Sequence, residues 1–219
     1  GSGASDMKGG VAAMVEALDT EIGRLLAAVD PAKTHVIFMG DNGTPGDVTT
    51  PPFDPDHAKL TVHEGGVGVP LIVRSPLVAI PGSESGAFVH AVDLFATVTD
   101  LAGVLVGDVT SAPVDGQSLL PYLGDPARPG ARATLYVERL APNGPGPYFI
   151  DARALREARF KLVRTLQSGT YVDALYDLSG GPVEGDDLLA AGPLSPDAQE
   201  AYDRLASELP CLVNLQPSG

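Results

Sequence analysis

THVIFMGDNG, residues 34 to 43, is the stretch on which the fold turns. A short β-rich run from His35 to Met39 stops abruptly at Gly40-Asp41-Asn42-Gly43. A run of this kind predicts a buried strand that delivers polar residues at its end. Open α/β sheets hold their ligands just outside such strand ends. Asp41 offers a carboxylate and Asn42 an amide carbonyl, both hard oxygen donors suited to Ca²⁺ or Mg²⁺. Asp-Asn-Gly is equally strong turn chemistry, so the tetrapeptide alone leaves a turn and a cation site both open.

Upstream of this strand, Val11, Met14, Val15, Leu18, Ile22, Leu25, Leu26 and Val29 carry the spacing of a helix with one apolar stripe, closed by Asp30-Pro31. Downstream, residues 44 to 58 hold four prolines and no periodicity, which predicts a long loop of the kind that carries function. VPLIVRSP then reads as a second buried strand, with Pro70 at its start, and Val92 to Ala102 as a helix closed by Gly103. Asp93 lies in the first turn of that helix, where a negative charge suits the helix dipole. Helix, strand, loop, strand, helix is an α/β layer pattern.

A Pro/Gly/Asp-rich bridge from Gly107 to Arg132 separates this part from four short segments. Thr134 to Glu138, Tyr148 to Asp151, Arg159 to Leu166 and Tyr171 to Leu178 alternate partially and predict a small, mostly antiparallel sheet. A helix from Pro196 to Leu209 would cover one face of it.

The chain has 219 residues, 28 acidic and 14 basic, for a net charge of −14. That excludes a general nucleic-acid binder and disfavours an acidic membrane surface. No apolar run approaches the roughly 18 to 20 residues of a membrane-spanning helix. The lone Cys211 has no partner for an intramolecular disulfide and reads as an inert thiol. The start, GSGASDM, lacks the basic and apolar regions of a secretory leader, and the compartment stays open.

A second chemical candidate is KLTVHEGG, residues 59 to 66. Lys59 ends the proline-rich loop and can present an ammonium to an oxyanion, while the paired glycines allow close backbone approach. The competing reading is a solvated loop lysine. His57, His63 and Glu64 do not have zinc spacing. His35 and His90 sit beside apolar segments and read as structural, and Asp186-Asp187 as solvated surface. No G-x-S-x-G, P-loop or G-x-G-x-x-G after a strand occurs, so serine hydrolase, nucleotide hydrolase and dinucleotide enzyme lack support.

Together, MVEALDTEIGRLLAAVD, THVIFMGDNG, HAKLTVHEGGVGVPLIV, HAVDLFATVTDLAG, ALREARFKLVRTL and ALYDLSGGPVEGDDLL occur in the order seen in the C-terminal half of type I sulfatases. The sequence thus resembles that family, a branch of the alkaline-phosphatase-like superfamily, over roughly residues 8 to 210. The resemblance implies Asp41 and Asn42 as two ligands of an active-site Ca²⁺, with Mg²⁺ as the alternative. It implies Lys59, from the family's K-x-T-x-[YW]-E-G-G segment, as a catalytic residue touching the sulfate, with His63 beside it in the substrate site. Leu60 replaces a frequent Gly, and His63 the usual aromatic. Asn42, where zinc-using relatives carry His, favours a hard ion.

The family's formylglycine motif, C/S-x-P-x-R, does not occur here, and its two further metal-binding aspartates and general-acid histidine would lie upstream. The expectation is therefore a partial α/β core with a parallel-rich sheet over residues 8 to 125, after an appended or disordered start at 1 to 7. A small α+β unit follows over 126 to 219. Its expected role is the C-terminal part of a sulfuric ester hydrolase, inactive without its N-terminal half as partner. A sulfatase-like binding or assembly module, and a phosphodiesterase or phosphonate hydrolase of the same superfamily, are the alternatives.

Overall fold

The structure, a computed structural model, describes residues 3–213, and the side chains of residues 15–209. The Cys211 side chain is therefore outside the described residues. α1 (Gly3–Ala27) carries the apolar stripe anticipated from its spacing, yet Val15, Leu18 and Leu25 are exposed. β1 (Val36–Met39) and β2 (Leu71–Arg74) follow, joined by a connection that includes a four-residue helical turn, α2 (Glu64–Val67).

β1 and β2 pair antiparallel, Val36 opposite Arg74 and Met39 opposite Leu71. Among the described residues no strand pair is parallel, so the parallel-rich part of the expectation is not met within this chain. The reason lies in the connection. A parallel pair needs a crossover, whereas residues 40–70 double back and the Gly40 N–H donates to the Pro70 carbonyl at 3.1 Å. The α/β class itself stands. Phe38 and Ile72 are register partners on one face of this pair, 51% and 61% exposed.

α3 (Asp93–Leu101) is anchored by its first residue. Asp93 is fully buried and takes both guanidinium nitrogens of Arg132, the N–H of Gln117 at 2.8 Å and the N–H of His90 at 2.7 Å. Burial alone would raise this carboxyl, but Arg132 and the two backbone donors hold it below the ordinary range. Gly103, at φ +68°, ends the helix in the left-handed conformation. Two short turns, α4 (Val106–Val109) and α5 (Leu120–Gly124), lie in the bridge.

β3 (Leu135–Ala141), β4 (Ile150–Arg156), β5 (Phe160–Gln167) and β6 (Thr170–Asp177) form an antiparallel sheet in sequence order. α6 (Pro196–Val213) packs on it, as the sequence pattern anticipates. In a strand, alternate residues face opposite sides. On one side Leu155, Phe160, Leu162 and Leu175 meet Ala198, Ala201, Leu205 and Leu209 of α6, which forms the main core. On the other side Ala154, Val163 and Tyr176 pack with Val62, from the segment that carries Lys59. β5 is therefore buried on both faces, and Lys161, which shares the face of Val163, is 1% exposed.

Candidate functional site

The end of β1 and the KLTVHEGG segment come together through backbone hydrogen bonds. Gly43 N–H donates to the Gly66 carbonyl at 2.9 Å, and Lys59 N–H to the Thr44 carbonyl at 2.9 Å. Glycine is required at this junction. A Cβ on Gly43 would lie 1.8 Å from the Gly65 carbonyl oxygen, and one on Gly66 would lie 2.6 Å from those of Ala58 and Thr61. The paired glycines of the motif thus act as a backbone clasp between the Asp41-Asn42 tip and the lysine segment.

Asp41 and Asn42 are both exposed. The Asn42 N–H donates to Asp41 Oδ1 at 2.9 Å, and the Asn42 side-chain amide donates to the Gly43 carbonyl at 3.1 Å, which leaves its Oδ1 available as an acceptor. The pair fits a hard cation by donor chemistry, but two oxygens are far short of the six to eight that Ca²⁺ takes. Among the described residues no cluster of three or more His, Cys, Asp or Glu side chains could complete a metal site. A cleft of about 330 Å³ opens beside Asn42, walled by Thr44, Thr49, Phe53, Gly65 and Pro70.

Lys59 is exposed and joins no ion pair among the described residues, so its ammonium is uncommitted. Its neighbour Leu60 sits at φ +70°, a left-handed conformation that suits the glycine frequent at this place in the resembled family. The ring of His63 stacks flat on His57 with centroids 3.7 Å apart, and Tyr176 meets both edge-on. Its Nδ1 is buried without a hydrogen-bond partner. Burial, followed by the neighbouring His57, pushes its pKa down to about 4.

Behind the lysine segment lies a buried charge network that sequence reading missed. Glu64 Oε1 accepts from Lys161 Nζ at 2.8 Å, and its Oε2 accepts from Arg156. Glu184 receives the backbone N–H of Glu64 at 2.8 and 3.0 Å and pairs with the same Lys161 nitrogen at 2.8 Å. Burial works to raise the Glu184 carboxyl, but the charge and hydrogen bond of Lys161 and the Glu64 amide hold it below the ordinary carboxylate value. The alternation of FKLV signalled this in principle, since it puts Lys161 on the face of Val163; nothing local paired it with Glu64.

The remaining candidates are structural. His35 Nδ1 bonds Ser75 Oγ at 2.8 Å, and the ring of His90 accepts the Val92 N–H. Asp187, read as solvated, is half-buried and caps Leu175 and Leu189 N–H groups at 3.0 Å each; only Asp186 is exposed. No described helix is long and apolar enough to cross a membrane.

Two family models match the chain: the sulfatase model over residues 7–104, and the model for N-sulphoglucosamine sulphohydrolase, C-terminal, over residues 56–210. A sulfatase of Formosa agariphila is 36% identical over 126 residues, 51% of this chain and 22% of its own length. Arylsulfatase K of Xenopus laevis is 26% identical over 208 residues, 89% of this chain and 35% of its own. The chain thus spans about a third or less of these curated relatives. Among solved structures, a protein in complex with its substrate D-glucosamine-2-N,6-O-disulfate superposes with a TM-score of 0.71 at 23% identity, covering 93% of this chain and 40% of that one. A phosphonate monoester hydrolase from Silicibacter pomeroyi gives 0.66 at 24% identity, over 87% of this chain and 37% of that one. At these identities the two superpositions speak for an alkaline-phosphatase-like fold. With a family model spanning more than half of its length, over the Lys59 segment and the sheet behind it, the chain belongs to the sulfatase family.

Proposed function

We propose that this chain is the C-terminal part of a sulfuric ester hydrolase and supplies half of its anion-binding machinery. In this reading Asp41 and Asn42 give two oxygen ligands to a Ca²⁺ site, Mg²⁺ being the alternative, and Lys59 meets the sulfuryl oxygens. His63 stands at the edge of the same substrate site. The observation that supports the reading is the double backbone clasp, Gly43 to Gly66 and Lys59 to Thr44, which ties the segment bearing Asp41 and Asn42 to the segment bearing Lys59.

When bound between Asp41, Asn42 and the ligands of the N-terminal portion, a divalent cation would supply positive charge that polarises the sulfuryl group. The chain's own contribution is the Lys59 ammonium, placed where negative charge grows on those oxygens as the ester bond breaks. The nucleophile, a formylglycine, and the remaining ligands belong to an N-terminal portion of the same protein, which is the chain's partner in this reading. The exposed apolar groups on α1 and on the β1–β2 face support it, since they are what an absent neighbouring layer would cover.

Purified chain should show no aryl sulfate turnover above background. The protein joined to its N-terminal portion should hydrolyse the ester, and Lys59→Ala should lower its kcat/KM by about 10²–10³. Turnover by the chain alone at enzymatic rates would falsify the proposal. A joined protein that binds sulfate esters without hydrolysing them would instead identify a binding module. The likeness to a phosphonate monoester hydrolase favours a second reading, phosphonate or phosphodiester hydrolysis on the same scaffold. Comparing turnover of aryl sulfate and aryl phosphonate by the joined protein separates the two.

A further inference from the structure

We infer that Lys161 and Glu184 are positioning residues for the Lys59 segment: the C-terminal sheet sets where the anion-contacting lysine stands. This rests on the proposed role of Lys59. Lys161 projects from β5 on the face away from α6 and lies between two carboxylates, at 2.8 Å from each. Glu184 closes the arrangement by taking the Glu64 N–H with both oxygens. Two carboxylates, Lys161 and Arg156 sum to zero charge, and the Lys161 and Glu184 side chains are each 1% exposed.

Apolar side chains would fill such a space at least as stably, because desolvating ions offsets much of their attraction. What the ions add is direction. Val62 packs on this side of the sheet through apolar contact, which is non-directional, whereas a backbone N–H held by one carboxylate and a side chain held by two cations fix the position of Glu64. From Glu64 the constraint passes along covalent and hydrogen-bonded backbone. Glu64 leads into Gly65 and Gly66, Gly66 O holds Gly43 N–H, and Thr44 O holds Lys59 N–H. The network thereby reaches both the lysine and the tip that carries Asp41 and Asn42 without touching either side chain.

Amide hydrogen exchange on the full chain tests this with no cation, substrate or turnover, so its outcome is independent of whether Lys59 binds sulfate. In Lys161→Met, and in the milder Glu184→Gln, the amides of Gly43, Lys59, Glu64 and Gly66 should exchange at least tenfold faster than in the parent. The Gln117 amide, held by Asp93, and the β3–β4 ladder should keep their rates. If Lys161→Met does not fold, Glu184→Gln decides alone, since it keeps the shape of the side chain. Faster exchange at Glu64 only, with Gly43 and Lys59 unchanged, would show a cap that positions nothing. A uniform rise across the chain would show a stabilising network only. Either result overturns the inference.

Discussion

Leu60 adopts a left-handed backbone next to the lysine on which the proposed chemistry depends. That conformation costs a residue with a Cβ roughly 1–2 kcal/mol, and glycine avoids it at an entropic penalty of roughly 0.5–1 kcal/mol. Leu60 is 66% exposed and has little packing to lose. Leu60→Gly should therefore stabilise the chain by about 0.5 kcal/mol, read as a raised urea midpoint; a lowered midpoint would show that the Leu60 side chain contributes more than its exposure suggests. His63 gives a second residue-scale expectation. Its ordinary pKa is 6.5 and its folded value about 4, with His57, Lys161, Glu184 and Asp54 as its charged neighbours. As pH falls from 6.5 towards 4, the unfolded chain takes up a proton that the folded chain refuses, so stability declines with falling pH across that window. The slope is at most one proton, about 1.4 kcal/mol per pH unit, and less to the extent that water reaches the ring. Glu184, held below its ordinary 4.5, adds to the decline only at the lower edge of that window, and Asp93 and Asp173, also held below their ordinary values, act at lower pH still. His63→Phe should flatten the urea midpoint between pH 4.5 and 6.5, and an unchanged slope would assign it to another group. Lys59, Asp41 and Asn42 could be singled out as candidates from the sequence because each stands in a short contiguous motif. Lys161 and Glu184 were not, because their partner Glu64 is 97 and 120 residues away and only the packing of sheet against turn reveals it.

At the scale of elements, the strands and helices were legible where one physical rule dominates. The stripe of α6 and the segments at β5 and β6 follow from apolar periodicity, and α3 ends at the glycine that ends it in the structure. β4 was legible only at its start. Its DARALR run buries Asp151 against Arg153 and Tyr171, and a charged residue in a strand core hides the alternation from which strands are read. Asp93 shows the same limit. The sequence places it correctly in the first turn of α3, but its buried pairing with Arg132 ties that helix to a bridge 39 residues away. Asp93→Asn removes the charge and leaves Arg132 opposite a neutral group, which should destabilise the chain by about 3 kcal/mol, towards the lower end for a broken buried pair because Arg132 keeps some solvent contact. Urea denaturation measures this, and a loss under 1 kcal/mol would mean that the backbone donors alone hold α3.

For the whole molecule, the two parts differ in how much core they own. The main apolar cluster runs from Leu155 to Leu209, entirely within the C-terminal sheet and α6. Among its described residues the first part buries few large apolar side chains and leaves Phe38 and Ile72 side by side on an open face. Apolar surface of that kind drives association. The chain should self-associate at raised concentration, and Phe38→Ser with Ile72→Thr should shift it towards monomer in light scattering while leaving its thermal midpoint nearly unchanged. An equal degree of association in both proteins would place the contact elsewhere. The uneven core also bears on how the chain is made. Glu64 leaves the ribosome 97 residues before Lys161, an interval of roughly 5–20 s at ordinary elongation rates. Throughout that interval the turn beside Lys59 has neither its buried cation nor the sheet beneath it, and Glu184 follows later still. The segment that would meet the sulfate thus settles only after the sheet that holds it has been made, and a chaperone or protease acting during translation would meet it before it is held.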